Sequence, residues 1–89
     1  MNTIREQILE VYGEVAFLEP EIYDSAIIGV SESCNRQPVI AYDRDVILEI
    51  LVSDGMSFDE ALEFYEYNML GTYIGVSTPT FIDQSFVTI

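Results

Sequence analysis

Residues 43–71, DRDVILEILVSDGMSFDEALEFYEYNMLG, hold the strongest local structure signals in this 89-residue chain. Asp43 suits the N-cap of a helix, and Gly55 suits the left-handed position that follows a helix end. Ser57 and Glu60 have the spacing of a capping box, which predicts a second helix that ends at the last glycine of the stretch. The stretch therefore predicts a helical hairpin. Its core-facing residues are predicted to be Val46, Ile47, Ile50 and Leu51, followed by Phe58, Ala61, Leu62, Tyr65 and Met69.

Two short apolar segments upstream of this hairpin predict β-strands. Residues 26–30 and 38–42 are rich in β-branched side chains and fit buried strands better than helices. The polar loop 31–37 would join them as a β-hairpin. Closer to the N-terminus, Thr3 and Glu6 form another capping box, which predicts an N-terminal helix.

The C-terminal part predicts further extended structure. Residues 74–76 and 80–82 fit strands or extended segments, and the apolar tail 85–89 fits an added edge strand. An apolar edge needs to be covered, and a homodimer is one way to cover it. Residues 1–89 are too few for a second core, so we expect one domain. The order of elements predicts a small two-layer α+β domain, in which a β-hairpin and a C-terminal strand pack with two or three helices.

The charge of the chain limits its partners. Sixteen Asp and Glu residues face only three arginines, with no lysine and no histidine, which gives a net charge of −13. Such a chain is repelled by nucleic acid phosphates and by anionic membranes, so we expect no direct nucleic-acid or membrane binding. A basic protein is the favoured partner. The single cysteine and the lack of a signal-peptide pattern predict an intracellular, soluble protein.

The sequence lacks the residues that most enzyme mechanisms need. Without histidine, neither a Ser-His-Asp nor a Cys-His arrangement can form, and one cysteine cannot build a conventional zinc site. No glycine-rich phosphate loop is present. The acids of Asp43-Arg44-Asp45 leave carboxylate-bound Mg²⁺ or Ca²⁺ as a weak alternative, although Asp43 is better explained as a cap. We expect a non-catalytic protein with no metal and no cofactor.

The two predicted helices of the hairpin carry acidic residues three or four positions apart, so that neighbouring carboxylates lie close on one surface. A row of carboxylates at this spacing can imitate a row of phosphates. A solvated helix face is the alternative interpretation. The candidate partner-binding residues are Asp45, Glu49, Asp59, Glu60, Glu63 and Glu66, with Tyr67 as an aromatic anchor.

The loop 31–37 offers a different candidate site. Arg36 lies there among hydrogen-bonding side chains, with Asn35 and Gln37 on either side. In a loop between strands, this arginine could anchor an anionic group of a ligand, and an ion pair with Glu32 is the alternative. Arg44, between two aspartates, is expected to be structural.

The segments AIIGV (26–30), PVIAYD (38–43) and ILEILVSDGMSFDEALEFYEYNMLGTYIGVSTPTFI (47–82) resemble a group of short acidic proteins encoded by bacteriophages and prophages. The resemblance implies a viral or prophage origin and a place in the cytoplasm of a host bacterium. It assigns no activity and no residue roles.

Two functional hypotheses follow from these features. The first is a non-catalytic, phage-encoded interaction protein whose acidic helix faces bind and inhibit a basic host protein, either a nucleic-acid enzyme or a defence component. The second is a small-ligand-binding module that uses the loop 31–37 with Arg36 as its anion anchor. The salt dependence of the binding affinity distinguishes the two hypotheses, because a phosphate-mimicking complex should weaken steeply as the salt concentration rises.

Overall fold

The computed structural model describes residues 3–72 and 75–86. Within these residues it is a small α+β domain with four helical elements and a three-stranded mixed sheet, which confirms the predicted fold class. In chain order the elements are α1 (Ile4–Tyr12), a 3₁₀ helix (Glu21–Ala26), β1 (Ile27–Ser31), β2 (Val39–Asp43), α2 (Arg44–Ser53), α3 (Phe58–Tyr65) with a π-helical extension (Glu66–Leu70), and β3 (Thr80–Ile82).

Strand β2 is the centre of the sheet. It pairs antiparallel with β1, which confirms the predicted hairpin, and parallel with β3, with Tyr42 opposite Phe81. The side chains of Ile40, Ala41 and Tyr42 are all buried. Strand β1 was expected to be buried as well, and it is only half-buried, with Ile27 and Val30 packed against the core. It forms one edge of the sheet, where Ile28 is exposed.

Helix α2 follows β2 without a linker because Asp43 caps it. The Asp43 carboxylate accepts hydrogen bonds from the backbone N–H groups of Asp45 and Val46, as predicted for an N-cap. Two predicted core residues, Ile47 and Leu51, are buried, and Leu48 is buried beside them although the sequence did not indicate it. Val46 and Ile50 are only half-buried. The buried stripe of α2 is therefore rotated slightly from the predicted one.

Helix α3 begins at the predicted capping box. Ser57 accepts a hydrogen bond from the Glu60 backbone N–H, and the Glu60 carboxylate accepts one from the Ser57 backbone N–H. Ala61, Tyr65 and Met69 are buried, as expected. The prediction for Phe58 is wrong: 58% of it is exposed, and it lies with Asp59 and Glu60 at the solvent-facing start of the helix.

The helix ends at Gly71, as predicted, but its last turn is wider than an α-helix. The Gly71 N–H donates to the Glu66 carbonyl, five residues earlier, at 3.0 Å. A Cβ atom at position 71 would lie 2.8 Å from that same carbonyl oxygen. Only glycine therefore fits this end of the π-helical extension without a shift of the backbone.

The N-terminal part packs against the sheet through a few contacts. The capping box of Thr3 and Glu6 begins α1, as predicted, and Ile8 is its one buried residue. The Leu18 backbone N–H donates to the Tyr42 hydroxyl at 2.7 Å, which fixes the segment before the 3₁₀ helix onto the central strand. Burial raises the pKa of Tyr42, so its hydroxyl stays protonated. The 3₁₀ helix itself was not predicted.

The segment before β3 is a turn. The Thr78 N–H donates to the Gly75 carbonyl, so residues 75–76 do not form the expected strand. Residue 74 and the tail residues 87–89 lie outside the described residues. Ser85 lies in a turn closed onto Asp83, so residues 85–86 show no edge strand, and Phe86 is exposed. Across the described ranges, no helix is long and apolar enough to cross a membrane.

Candidate functional site

Arg5 is held inside the fold. Its Nε and Nη2 atoms donate to the two carboxylate oxygens of Asp24, both at 2.8 Å, and Nη1 donates to Glu19 at 3.0 Å. The guanidinium also lies over the ring of Phe17, 4.5 Å from its centroid. The hydrogen bond to Asp24 is the main cause that raises the pKa of Arg5. Arg5 therefore joins α1 to the 3₁₀ helix and is not free to bind a partner.

Arg44 has structural contacts too, in line with its expected role. Its Nη1 atom lies 3.4 Å from an Asp45 oxygen and 3.5 Å from an Asp83 oxygen. The guanidinium is 5.8 Å from the ring centroid of Tyr65. This arginine links the start of α2 to the chain just after β3. It also forms an ion pair with Asp45, one of the candidate partner-binding acids.

Arg36 differs from the other two arginines. Among residues 3–72 and 75–86 its guanidinium makes no ion pair and no hydrogen bond, and its backbone N–H closes a turn onto Ser33. The alternative ion pair between Arg36 and Glu32 is not formed among the described residues; the Glu32 carboxylate instead accepts a hydrogen bond from the Tyr12 hydroxyl at 2.6 Å. This hydrogen bond is the first cause that raises the pKa of Tyr12. The loop thus presents an exposed arginine that no acid neutralises within the described chain.

Arg36, Asn35 and Gln37 line a cleft of about 570 Å³ between two segments that are distant in sequence. The loop 31–37 forms one side and the turn before β3 forms the other. Both segments lie at the same end of the sheet, because β2 and β3 are parallel and begin there. The cleft is lined by Ser31, Ser33, Asn35, Arg36, Gln37, Val39, Gly75, Val76, Thr78, Pro79 and Thr80.

The structure divides the predicted acidic residues among different surfaces. On α3, Glu60 and Glu63 line one shallow depression together with Tyr67, which is 76% exposed. On α2, Glu49 lines a separate depression against the 3₁₀ helix. Asp45 contacts Arg44 instead. The acids of the two helices therefore do not line one continuous groove.

The α3 acids also differ in how they are used within the fold. Glu60 completes the capping box, and the hydrogen bond from the Ser57 backbone lowers its pKa. Asp59, Glu63 and Glu66 are exposed, and no ion pair holds them among the residues that the structure describes. The surface that these residues form with Tyr67 is called the α3 acidic surface below.

Sequence reasoning found one side of the cleft and missed the other. The loop 31–37 was marked by its polar residues, whereas residues 74–76, on the other side, were assigned to a strand or extended segment. Gly75, with φ of 101°, and Pro79 are turn-forming residues that could have indicated the turn. Its place opposite the loop depends on the pairing of β3 with β2, which no local signal reports.

In the described part of the chain, no three His, Cys, Asp or Glu side chains are grouped so that they could hold a metal ion. Comparisons of the chain with models of protein families, with curated proteins and with solved structures find no match. Geometry and charge therefore carry the functional argument.

Proposed function

We propose that this chain is a non-catalytic interaction protein that binds a basic surface of a host protein through the α3 acidic surface. The observation that carries the proposal is the set of exposed carboxylates on α3 that have no cation beside them in the described chain. Its central members are Asp59, Glu63, Glu66 and Tyr67, with Glu60 at the edge. Asp45 and Glu49 of α2 add to the negative potential of the protein but do not line the depression on α3.

Holding these acids together has a cost in the free protein. The pairs that Glu63 forms with Asp59, Glu60 and Glu66 are each three or four residues apart, and each such pair destabilises a helix by about 0.2–0.5 kcal/mol. The macrodipole offsets this only for acids in the first turn, which leaves Glu63 and Glu66 without compensation. A basic partner would remove the repulsion between these carboxylates. Binding would then regain the free energy that the repulsion costs the free protein.

The neighbouring side chains suit a protein interface. Tyr67 is exposed beside Glu63, and Met56 and Phe64 lie in the same depression. Tyrosine is enriched where binding energy is concentrated, because its ring buries a large area at little conformational cost. An acidic rim around an aromatic anchor fits a basic protein that normally binds nucleic acid. The resemblance to phage-encoded proteins favours a partner in the cytoplasm of a host bacterium, which the binding would inhibit.

The test is capture of partners from a bacterial lysate with three tagged baits: the wild-type chain, the variant Glu63→Gln/Glu66→Gln, and the control Glu14→Gln/Glu21→Gln. Both variants change the charge equally, but the control acids are exposed residues outside α3. We expect a basic protein that is retained by wild type and control, released as salt rises, and lost from the α3 variant.

Competition with DNA tests the mimicry directly. If the carboxylates occupy a phosphate-binding surface, double-stranded DNA should displace the chain from its purified partner. Equal retention by the α3 variant and the wild type would contradict the proposal. A complex that DNA leaves intact would contradict the phosphate-mimicry part of it.

A further inference from the structure

The cleft beside Arg36 has a charge opposite to that of the whole molecule. The chain has 16 acidic residues among 89, so about two acids would be expected among the eleven lining residues. None of the eleven is Asp or Glu, and one is an arginine. The lining therefore carries a charge of +1 on a chain whose net charge is −13.

The availability of the guanidinium separates this site from the other cationic positions. Arg5 and Arg44 each contact two carboxylates, whereas Arg36 contacts none in the described ranges. A guanidinium presents paired N–H donors that match the two oxygens of a carboxylate or a phosphate. An unpaired arginine in the lining of a cleft can bind such a group without first breaking an internal ion pair.

The remaining lining residues indicate what the rest of the ligand is like. Hydroxyl and amide side chains dominate, and they both donate and accept hydrogen bonds, as the hydroxyl groups of a sugar or polyol do. Among the described residues that line the cleft, none is an aromatic residue on which a base could stack. Its volume of about 570 Å³ is in the range of small-molecule sites. These polar side chains are Ser31, Ser33, Asn35, Gln37, Thr78 and Thr80, and the Thr78 hydroxyl also donates to the Gly75 carbonyl.

We propose that this cleft binds a small, hydroxyl-rich molecule through one oxyanion group, a carboxylate or a phosphate, that is held by Arg36. The site lies at the end of the sheet where β2 and β3 begin, and it shares no lining residue with the α3 acidic surface. It is therefore a second binding function, independent of the protein interface proposed above.

The experiment is an NMR titration of the ¹⁵N-labelled chain with three matched probes: glucose 6-phosphate, glucuronate and glucose. About 150 mM salt screens the repulsion between the acidic chain and the anionic probes. We expect saturable shifts of backbone signals from the loop 31–37 and the turn 75–80 with at least one anionic probe, and none with glucose. Whichever of the two anions binds more tightly identifies the oxyanion. Absence of saturable shifts with both anions, or equal shifts with glucose, would overturn the proposal.

Two variants assign the binding to the guanidinium. Arg36→Gln should weaken binding at least about tenfold, the loss expected when a charge-assisted hydrogen bond is removed. The control Gln84→Glu changes the net charge by the same amount at an exposed residue outside the cleft, and its affinity should stay within about twofold of wild type. The spectra themselves report whether each variant is folded. Unchanged affinity in the Arg36 variant would refute the role given to this arginine, whatever the α3 variants show.

Discussion

The contact between Arg5 and Asp24 should contribute strongly to the stability of the domain. The side chains are 17% and 19% exposed and share two hydrogen bonds of 2.8 Å. Breaking a fully buried ion pair by removing one partner costs about 3–5 kcal/mol. Solvent reaches part of this pair, so we expect Arg5→Gln to lower the free energy of unfolding by about 2–3 kcal/mol. The contact to Glu19, whose side chain is 69% exposed, adds little.

That loss is large for a domain of this size. An 89-residue chain is expected to have a free energy of unfolding of about 4–13 kcal/mol. The Tm should therefore fall by roughly 10–20 °C. The chain has no tryptophan, so unfolding in urea is best followed by circular dichroism. An unchanged dependence on urea concentration would show that the loss lies in the folded state.

A matched arginine variant and a double-mutant cycle make the test specific. Arg44→Gln removes a guanidinium whose carboxylate contacts are 3.4 and 3.5 Å long and single, with a side chain 30% exposed, so it should cost below about 1 kcal/mol. Arg5→Gln combined with Asp24→Asn should be less damaging than the sum of the two single changes. If Arg5→Gln costs no more than Arg44→Gln, or if the two changes at Arg5 and Asp24 are additive, the reasoning is refuted.

Three further substitutions test the packing and the caps. Tyr42→Phe removes the acceptor of the part-buried Leu18 backbone N–H and should cost about 1–2 kcal/mol in urea unfolding, and a loss below about 0.5 kcal/mol would count against that hydrogen bond. Gly71→Ala places a methyl group against the Glu66 carbonyl and should lower the Tm, whereas an unchanged Tm would contradict the close approach. Glu60→Ala should destabilise the chain at pH 7 but progressively less below about pH 4. The hydrogen bond from Ser57 lowers the folded-state pKa of Glu60, so its stabilisation is lost as the carboxylate is protonated, and a Tm difference equal at pH 7 and pH 3 would exclude this linkage.

The candidate sites could be predicted from the sequence to different degrees. Glu60, Glu63 and Tyr67 lie in one depression because their spacing on a helix brings them together, and that spacing is visible in the sequence. Glu49 lies apart from them because the packing of α2 against the 3₁₀ helix gives it different neighbours. The unpaired state of Arg36 could not be predicted, because it depends on where nearby acids are held, and Glu32 is hydrogen-bonded to Tyr12, twenty residues earlier in the chain.

The amino-acid sequence by itself determined where the three α-helices begin. Thr3, Asp43 and Ser57 each accept a hydrogen bond from a backbone N–H two or three residues later, so the information is local. The end of the last helix at Gly71 is equally local, since the contact lies five residues back.

Tertiary structure alone decided the pairing of β3 with β2. The residues of β3 do not indicate that it pairs parallel to β2, because strand preferences depend on the packing that the rest of the fold provides. That pairing sets the turn 75–80 opposite the loop 31–37 and creates the cleft at Arg36. It also places β1 at the edge of the sheet and leaves Ile28 exposed, although its sequence resembles that of a buried strand. Caps form within one turn of chain, whereas pairing and burial depend on contacts between residues that are far apart in sequence.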